Sequence, residues 1–294
     1  MEPLSLTTRR LFATFFFFLF IIILPVIVLY ASGYRLQGFS LVTTGGIYIA
    51  TPVSGVVISL NGEEIDRSSI FSKSFFFDNL EPGSYVIQTA LEGYAPWSKT
   101  LVVESRIVTD VSMLAVLQPL TIFRIEKLPA TSTPERTATS TVRFIPPAQY
   151  ARIAEAFATS TASLTLRGMS TSTTPSVSPD SAAEGGVRLI INDGDLFVQW
   201  MRHASPPGSF CIRPSLCAES FGLESGESEV VNAQFFGGGV IYQTMESGVF
   251  FVEVDIRQPR LLVSVATKPE TEYRVFENSL YIKDGDTLYT VEGL

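Results

Sequence analysis

The run Leu11–Ala31, LFATFFFFLFIIILPVIVLYA, contains no charged residue. As a helix rising about 1.5 Å per residue, it crosses a hydrocarbon layer about 30 Å thick. Phe and Ile fall all round such a helix, leaving no polar stripe of the kind a globular helix shows to water. Pro25 is tolerated in a membrane helix, where it introduces a kink. Residues 1–10 carry Arg9 and Arg10, and positive charge on that side predicts a cytoplasmic N-terminus with the rest of the chain outside. A cleaved secretory signal with Ala31-Ser32-Gly33 as its small-residue site is the alternative. Secretory apolar cores span about 7–15 residues, so the greater length here favours an uncleaved signal anchor over residues 11–31.

The whole chain is 46% apolar and 17% charged, and although the N-terminal run explains some of that excess, enough apolar residues remain to bury a core. A net charge of -8 argues against a nucleic-acid partner, which needs a basic face to neutralise phosphates. It suits an acidic, soluble ectodomain.

Residues 32–44 read as a juxtamembrane spacer. From Gly45 the residues alternate. Gly46–Pro52 reads as a strand ending at proline, and Val56–Ile65 as a strand entering Asn61-Gly62, the strongest short hairpin signal. Phe71–Leu80 is a third strand. After Pro82-Gly83, Tyr85, Ile87, Thr89 and Leu91 fall on one face and Val86, Gln88 and Ala90 on the other. Beyond Gly93-Tyr94, Lys99–Glu104 and Ile107–Leu117 supply two more. About six short strands in about 70 residues predict a β-sandwich over residues 45–118. Gly62, Gly83 and Gly93 suit positions that need positive φ or a close backbone approach. Tyr85, Tyr94 and Trp97 are expected to cluster over one end of the core, in preference to forming an exposed platform for a glycan or peptide.

The order of these features resembles the PEGA domain, a small β-module of bacterial and archaeal surface proteins. The residues that carry the resemblance are Gly46, Pro52, Val56–Leu60, Asn61-Gly62, Leu80, Pro82-Gly83, Tyr85 and Gly93-Tyr94, with Trp97 after them. It spans residues 33–118, under a third of the chain. Between Asp66 and Phe75 the chain reads DRSSIFSKS where the family usually has a Gly-x-x-Pro turn. The resemblance implies a single-pass protein of the bacterial cell membrane with extracytoplasmic domains, and propeller-like β-repeats after the module. It brings no catalytic residues.

From residue 119 to 186 the composition shifts to Ser, Thr, Pro and Ala, as in ATSTPERTATST, and such tracts bury too little to offset the entropy of ordering. Within it, Pro147–Ala158 places Tyr150, Ile153 and Phe157 at helical spacing. Leu120–Leu128, Thr141–Ile145 and Leu164–Leu166 look like strand fragments. A linker and a set of loops inserted into a β-domain both fit. Residues 187–294 hold a faint repeat: Leu189–Trp200 and Leu280–Val291 each read strand, Asp-Gly, strand, and Gly239–Asp255 is a third hairpin. A propeller needs about four or more blades, so a truncated one is expected, with a second sandwich as the alternative.

Residues with chemical potential are few. Cys211 and Cys217, the only cysteines, close a short loop in an oxidising compartment or stay free thiols. With one histidine, His203, they cannot complete a four-ligand zinc site without carboxylates. Asp193–Asp195 and Asp284–Asp286 repeat Asp-Gly-Asp but lack the EF-hand pattern, and hairpin geometry alone explains Asp-Gly. No G-x-S-x-G elbow accompanies His203, and Gly237–Val240 is no phosphate loop. Glu63-Glu64 reads as solvated surface.

The expectation is therefore an all-β ectodomain, without cofactor or metal, behind one transmembrane helix. It binds or scaffolds without catalysis, with the membrane and cell-wall glycan or envelope proteins as partners. One alternative is an extracytoplasmic glycan-acting enzyme using Asp193, Asp195 and Glu246. Another is an envelope sensor needing a separate signalling partner.

Overall fold

The computed structural model describes residues 6–37, 40–69, 72–128, 141–167, 186–201, 205–223 and 228–294. Helix α1 (Leu6–Ala31) carries the uncharged run and contains Pro25. Its most apolar window has a mean hydropathy of 3.0 with none of it buried, so it is long and apolar enough to cross a membrane. The rest is mostly strand.

The stretch read as a spacer is a hairpin. Strands β1 (Tyr34–Gln37) and β2 (Ser40–Thr43) pair antiparallel from Tyr34↔Thr43 to Gln37↔Ser40. Four residues a side are too few for alternation to declare itself in the sequence.

Two sheets follow, built from β3 (Gly45–Ala50), β4 (Val57–Leu60), β5 (Glu63–Arg67), β6 (Ser74–Leu80), β7 (Gly83–Ala90), β8 (Trp97–Val103) and β9 (Val108–Ser112). One has the order β6-β3-β9, with β9 parallel to β3, and the other β5-β4-β7-β8. Their inner faces share one core of Ile47, Ile49, Ile58, Phe75, Ile87, Trp97, Leu101 and Val111. This is a two-sheet sandwich. The alternation read along β7 holds: Ile87 and Thr89 are buried, while Val86, Gln88 and Ala90 are exposed. The strand that alternation did not reveal is β5, whose five residues are all exposed. It is a charged edge strand, a common guard against edge-to-edge pairing.

Asn61-Gly62 forms the two-residue β4–β5 turn, with φ of 53° and 86°, the pair of positive values a type I′ turn requires. Asn61 also ties the turn to β7, its Oδ1 accepting from the Val86 N–H at 2.9 Å. Gly93 likewise sits at φ 80°. Gly83 differs from expectation. It opens β7 without positive φ, and a Cβ there would meet nothing within 4 Å. The positive φ nearest this crossing belongs to Asn79, the penultimate residue of β6, at 59°. Pro82-Gly83 is accordingly a crossing between the two sheets rather than a hairpin turn.

Residues 119–186 contribute structure as well. Strands β10 (Thr121–Lys127) and β11 (Val142–Ile145) pair parallel, and α2 (Pro147–Arg167) packs Ile153 and Phe157, each 1% exposed, against Ile125, Tyr281 and Leu288. The helix absorbs Leu164–Leu166, expected to be a strand fragment.

The remaining strands are β12 (Val187–Asn192), β13 (Asp195–Trp200), β14 (Cys211–Arg213), β15 (Leu216–Cys217), β16 (Ser220–Leu223), β17 (Val230–Phe236), β18 (Gly239–Thr244), β19 (Gly248–Glu253), β20 (Leu262–Ala266), β21 (Glu272–Phe276), β22 (Ser279–Asp284) and β23 (Thr287–Glu292). They form three successive sheets, β12-β13-β16, β17-β18-β19-β20 and β11-β10-β23-β22-β21, beside the small β14-β15 pair. The last sheet takes β10 from early in the chain, antiparallel to β23. One core joins the first two sheets through Leu196, Val198, Val240 and Tyr242. A second joins the latter two through Ile241, Phe251, Tyr273 and Leu280 and reaches Ala95 and Val116 of the sandwich segment.

The glycine geometry makes a signed prediction for the full chain in detergent. Gly62→Ala meets no neighbour but must hold φ near 86°, which costs about 1 kcal/mol. Gly83→Ala has neither obstacle and is expected to leave stability unchanged or raise it by about 0.5 kcal/mol through the unfolded chain. Denaturant midpoints that fall equally for both variants would contradict this reading of the two turns.

Candidate functional site

The inward face of β8 holds Trp97, Lys99, Leu101 and Val103, all buried. A lysine in phase with three apolar side chains demands a partner, because an unpaired buried ammonium is very costly. Lys99 is 0% exposed, and its Nζ lies 2.8 Å from Glu253 Oε2 and donates to the Arg257 carbonyl at 3.0 Å. Glu253, the last residue of β19, is 4% exposed. Its Oε1 accepts from Trp97 Nε1 at 2.9 Å, and its Oε2 accepts a further bond from the Leu261 N–H at 3.0 Å. Both oxygens are thus satisfied by groups from two distant parts of the chain.

The residues just beyond β19 extend this network. Arg257 is buried against Asp255, with Nε bonding Oδ1 at 2.8 Å and Nη2 bonding Oδ2 at 2.6 Å, a fork-to-fork arrangement. Its Nη1 donates to the Asp110 carbonyl of β9 at 2.8 Å. One residue on, the Gln258 carbonyl accepts from the Thr100 N–H of β8 at 2.9 Å. Strands β8 and β9 are edges of the two sandwich sheets, so the β19–β20 connection plugs the open side between them. Glu104, just past β8, makes a second joint: its carboxylate accepts from Ser215 N–H at 3.0 Å and Ser215 Oγ at 2.5 Å. Ser215 lies in the β14–β15 turn, which the bonded pair Cys211–Cys217 closes.

This arrangement cross-links two β-regions and exposes no free reactive group. Its ionisable members are consumed by partners, as in a structural joint.

The other residues singled out in the sequence are dispersed. Trp97 and Tyr85 pack in the same sandwich core, with Tyr85 Oη donating to the Glu81 carbonyl at 2.9 Å. Tyr94 lies at a different junction, where its backbone bridges to Leu117. Pro52 follows β3, and Pro82 lies in the sheet crossing. Asp193 and Gly194 form the β12–β13 turn with φ of 50° and 84°, whereas in the β22–β23 turn the central pair is Gly285-Asp286. The same tripeptide therefore turns in two frames, one residue apart. Glu246 is exposed in the β18–β19 turn. That turn and the Asp193–Asp195 turn share one rim, linked by Val230 N–H to the Gly194 carbonyl at 2.8 Å and Met245 N–H to the Glu229 carbonyl at 2.9 Å. Among the described residues no group of three or more metal-ligating side chains is assembled. Glu63 and Glu64 are exposed on β5, and His203 lies outside the described residues.

Sequence reasoning missed the joint, although its signal was present: Lys99 stands where the alternation of Trp97, Leu101 and Val103 calls for an apolar residue. It also passed over a cleft of about 340 Å³ on the last sheet, where Arg143 and Gln149 face Phe236, Asn278 and Glu292. Arg143 pairs with Glu292 at 2.5 Å and lies over the Phe123 ring at 4.8 Å. Two of those lining residues come from the stretch whose composition reads as a linker.

Breaking the joint from either side is expected to be severe. Lys99→Met and Glu253→Gln each strand a buried charge and should cost about 3–5 kcal/mol, and the double variant less than their sum. Additive losses in a double-mutant cycle would show that the two side chains are not coupled. A separate alkaline effect follows from Tyr273, fully buried and donating to the Ile241 carbonyl at 3.2 Å. Burial pushes its hydroxyl above the ordinary value of 10.0. The folded protein then keeps a proton that the unfolded chain releases, so stability present below about pH 10 falls as pH rises past it. Tyr273→Phe should flatten that decline in melts between pH 9 and 11.

In comparison with known proteins, no family model matches the chain, and no curated protein matches it significantly.

Proposed function

We propose that this chain is a single-pass protein of the bacterial cell envelope that holds a rigid, non-catalytic binding or scaffolding platform on the outer face of the membrane. The observation that carries this reading is the buried joint. A chain that spends Lys99, Glu253, Asp255 and Arg257 on locking the sandwich to the hairpin sheets has built one firm body directly after an apolar helix. On this reading residues 45–118 are a PEGA-like module, and the three later sheets are blades of a partial propeller whose last blade is completed by β10. The bonded Cys211–Cys217 pair supports an oxidising, extracytoplasmic setting. The cleft beside Arg143 and Asn278 is the concave surface such a platform offers to cell-wall glycan or an envelope protein.

Protease treatment of intact cells tests the placement. Loss of the β-domains with a membrane-retained stub is expected, and a fully protected chain would overturn both anchor and orientation. Detergent-solubilised full chain passed over peptidoglycan and envelope-protein fractions should be retained by at least one. Retention by none would reduce the role to a spacer. Turnover of a glycosidic substrate panel that disappears in Asp193→Asn, Asp195→Asn or Glu246→Gln would instead favour the enzymatic alternative.

A further inference from the structure

The β1–β2 hairpin is unusual for the residues it leaves uncovered. Leu36 and Leu41 are directly opposed in the register and are 74% and 58% exposed. An isolated two-stranded hairpin is marginal in water, and this one presents an apolar cross-strand pair instead of hiding it.

Its position suggests the missing cover. Only Ser32 and Gly33 separate the end of α1 from Tyr34, and both remain hydrogen bonded to the last helical turn, Ser32 N–H to the Val28 carbonyl and Gly33 N–H to the Tyr30 carbonyl. Leu36 is two residues beyond Tyr34, about 7 Å of extended chain. The headgroup region on each side of a bilayer is about 5–8 Å thick, so the distances match. The hairpin also folds back toward the helix. Arg35 Nη1 donates to the Tyr30 carbonyl at 2.7 Å, and its guanidinium stands 3.6 Å from the Tyr30 ring centroid. Arg35 and Leu36 occupy opposite faces of β1, so Arg35 fastens the ribbon to the helix end while the Leu36–Leu41 face stays free.

The surroundings have the composition of a membrane interface. Tyr30 and Tyr34 provide amphipathic rings, Arg106 lies 6.0 Å from the Tyr34 ring, and Ile107 beside it is 41% exposed. Aromatic rings at headgroup level and cations toward anionic lipid phosphates are the usual anchors of that zone.

We propose that the β1–β2 hairpin is a membrane-interface foot, with Leu36 and Leu41 inserted at the headgroup–acyl boundary of the bilayer that α1 enters and with Arg106 at its phosphates. This rests on the reading of α1 as a membrane span. The foot gives the joint between helix and sandwich a second point of attachment, fixing the platform's tilt.

Depth-dependent quenching on the full chain, with its native disulfide intact, separates the two claims. Leu41→Cys and Leu36→Cys, each labelled with an environment-sensitive fluorophore, are reconstituted in phosphatidylcholine–phosphatidylglycerol vesicles containing lipids with a nitroxide near the headgroup or deep in the chain. Both labels should lose most of their emission to the shallow nitroxide. A label at Ile65→Cys, on the far edge strand β5, should be unaffected, and one at Phe20→Cys should be quenched by the deep nitroxide. Hairpin labels as bright as the Ile65 label, with Phe20 quenched, would overturn the foot and leave the anchor standing; that result would assign the leucine pair to a protein partner. A Phe20 label that escapes quenching would overturn both.

Discussion

Lys99 and Glu253 leave water together when the sandwich meets the hairpin sheets, and the rest of the β-structure is arranged so that they can. Stripping each ion of water costs several kcal/mol, which attraction between the two repays only when every remaining donor and acceptor is also met. Here Trp97 Nε1 and the Leu261 N–H fill the carboxylate, and the Arg257 carbonyl takes a second bond from the ammonium. An apolar pair would hold the two regions equally well in several sliding arrangements. A carboxylate that needs an indole N–H, an ammonium and a backbone N–H at once has one position. The ion pair thus fixes geometry, and apolar packing around Trp97 and Val116 supplies the adhesion.

The same joint explains why the topology is so non-local. Strands β8 and β9 would otherwise be open edges flanking a gap in the core, a hazard for edge-to-edge association. The plug that covers them arrives more than 150 residues later, since Trp97 and Glu253 are separated by 156 positions. Loop-closure entropy rises slowly with length, so such a separation adds little to the cost in stability. It does couple the parts. The β10–β23 pairing and the bond from the Leu117 N–H to the Gly293 carbonyl draw the last strand back to the sandwich's exit. The sandwich core is sealed only when the β19–β20 connection is in place, so the two β-regions share their stability.

Much of the local structure was legible. The membrane-length helix, the Asn61-Gly62 turn, the faces of β7 and the helical spacing of Ile153 and Phe157 all follow from rules that act over a few residues. The features that escaped fall into two kinds. Strands β1, β2 and β5 are short or wholly exposed, so no burial pattern marks them. Strand β11 and the start of helix α2 were legible as fragments inside a Ser/Thr-rich stretch, but the helix runs on through Leu164–Leu166, where the composition speaks for the average of a stretch and hides its continuation. The joint escaped for another reason: Lys99 signals that a partner exists, but nothing local says that it is Glu253. Gly83 shows the converse error, a glycine in a turn-like phrase that no steric demand requires.

The consequence for function lies in stiffness. A flexible stalk lets a binding domain search, whereas a helix that runs through two residues into a hairpin, with Thr44 bonding back to Gly33 at 2.9 Å, sets the first sheet at a defined angle to the helix axis. From there β3 continues the chain into the sandwich after a single residue, and the sandwich is locked to the later sheets through buried charge. Each connection along this path is either covalently short or fully hydrogen bonded. Orientation imposed at the end of α1 is therefore transmitted to the distant rim of hairpin turns, and under the proposed function a surface there would meet its ligand at a fixed height and attitude above the helix end. That suits a scaffold better than a tethered searcher, because preorganisation lowers the entropy lost on binding.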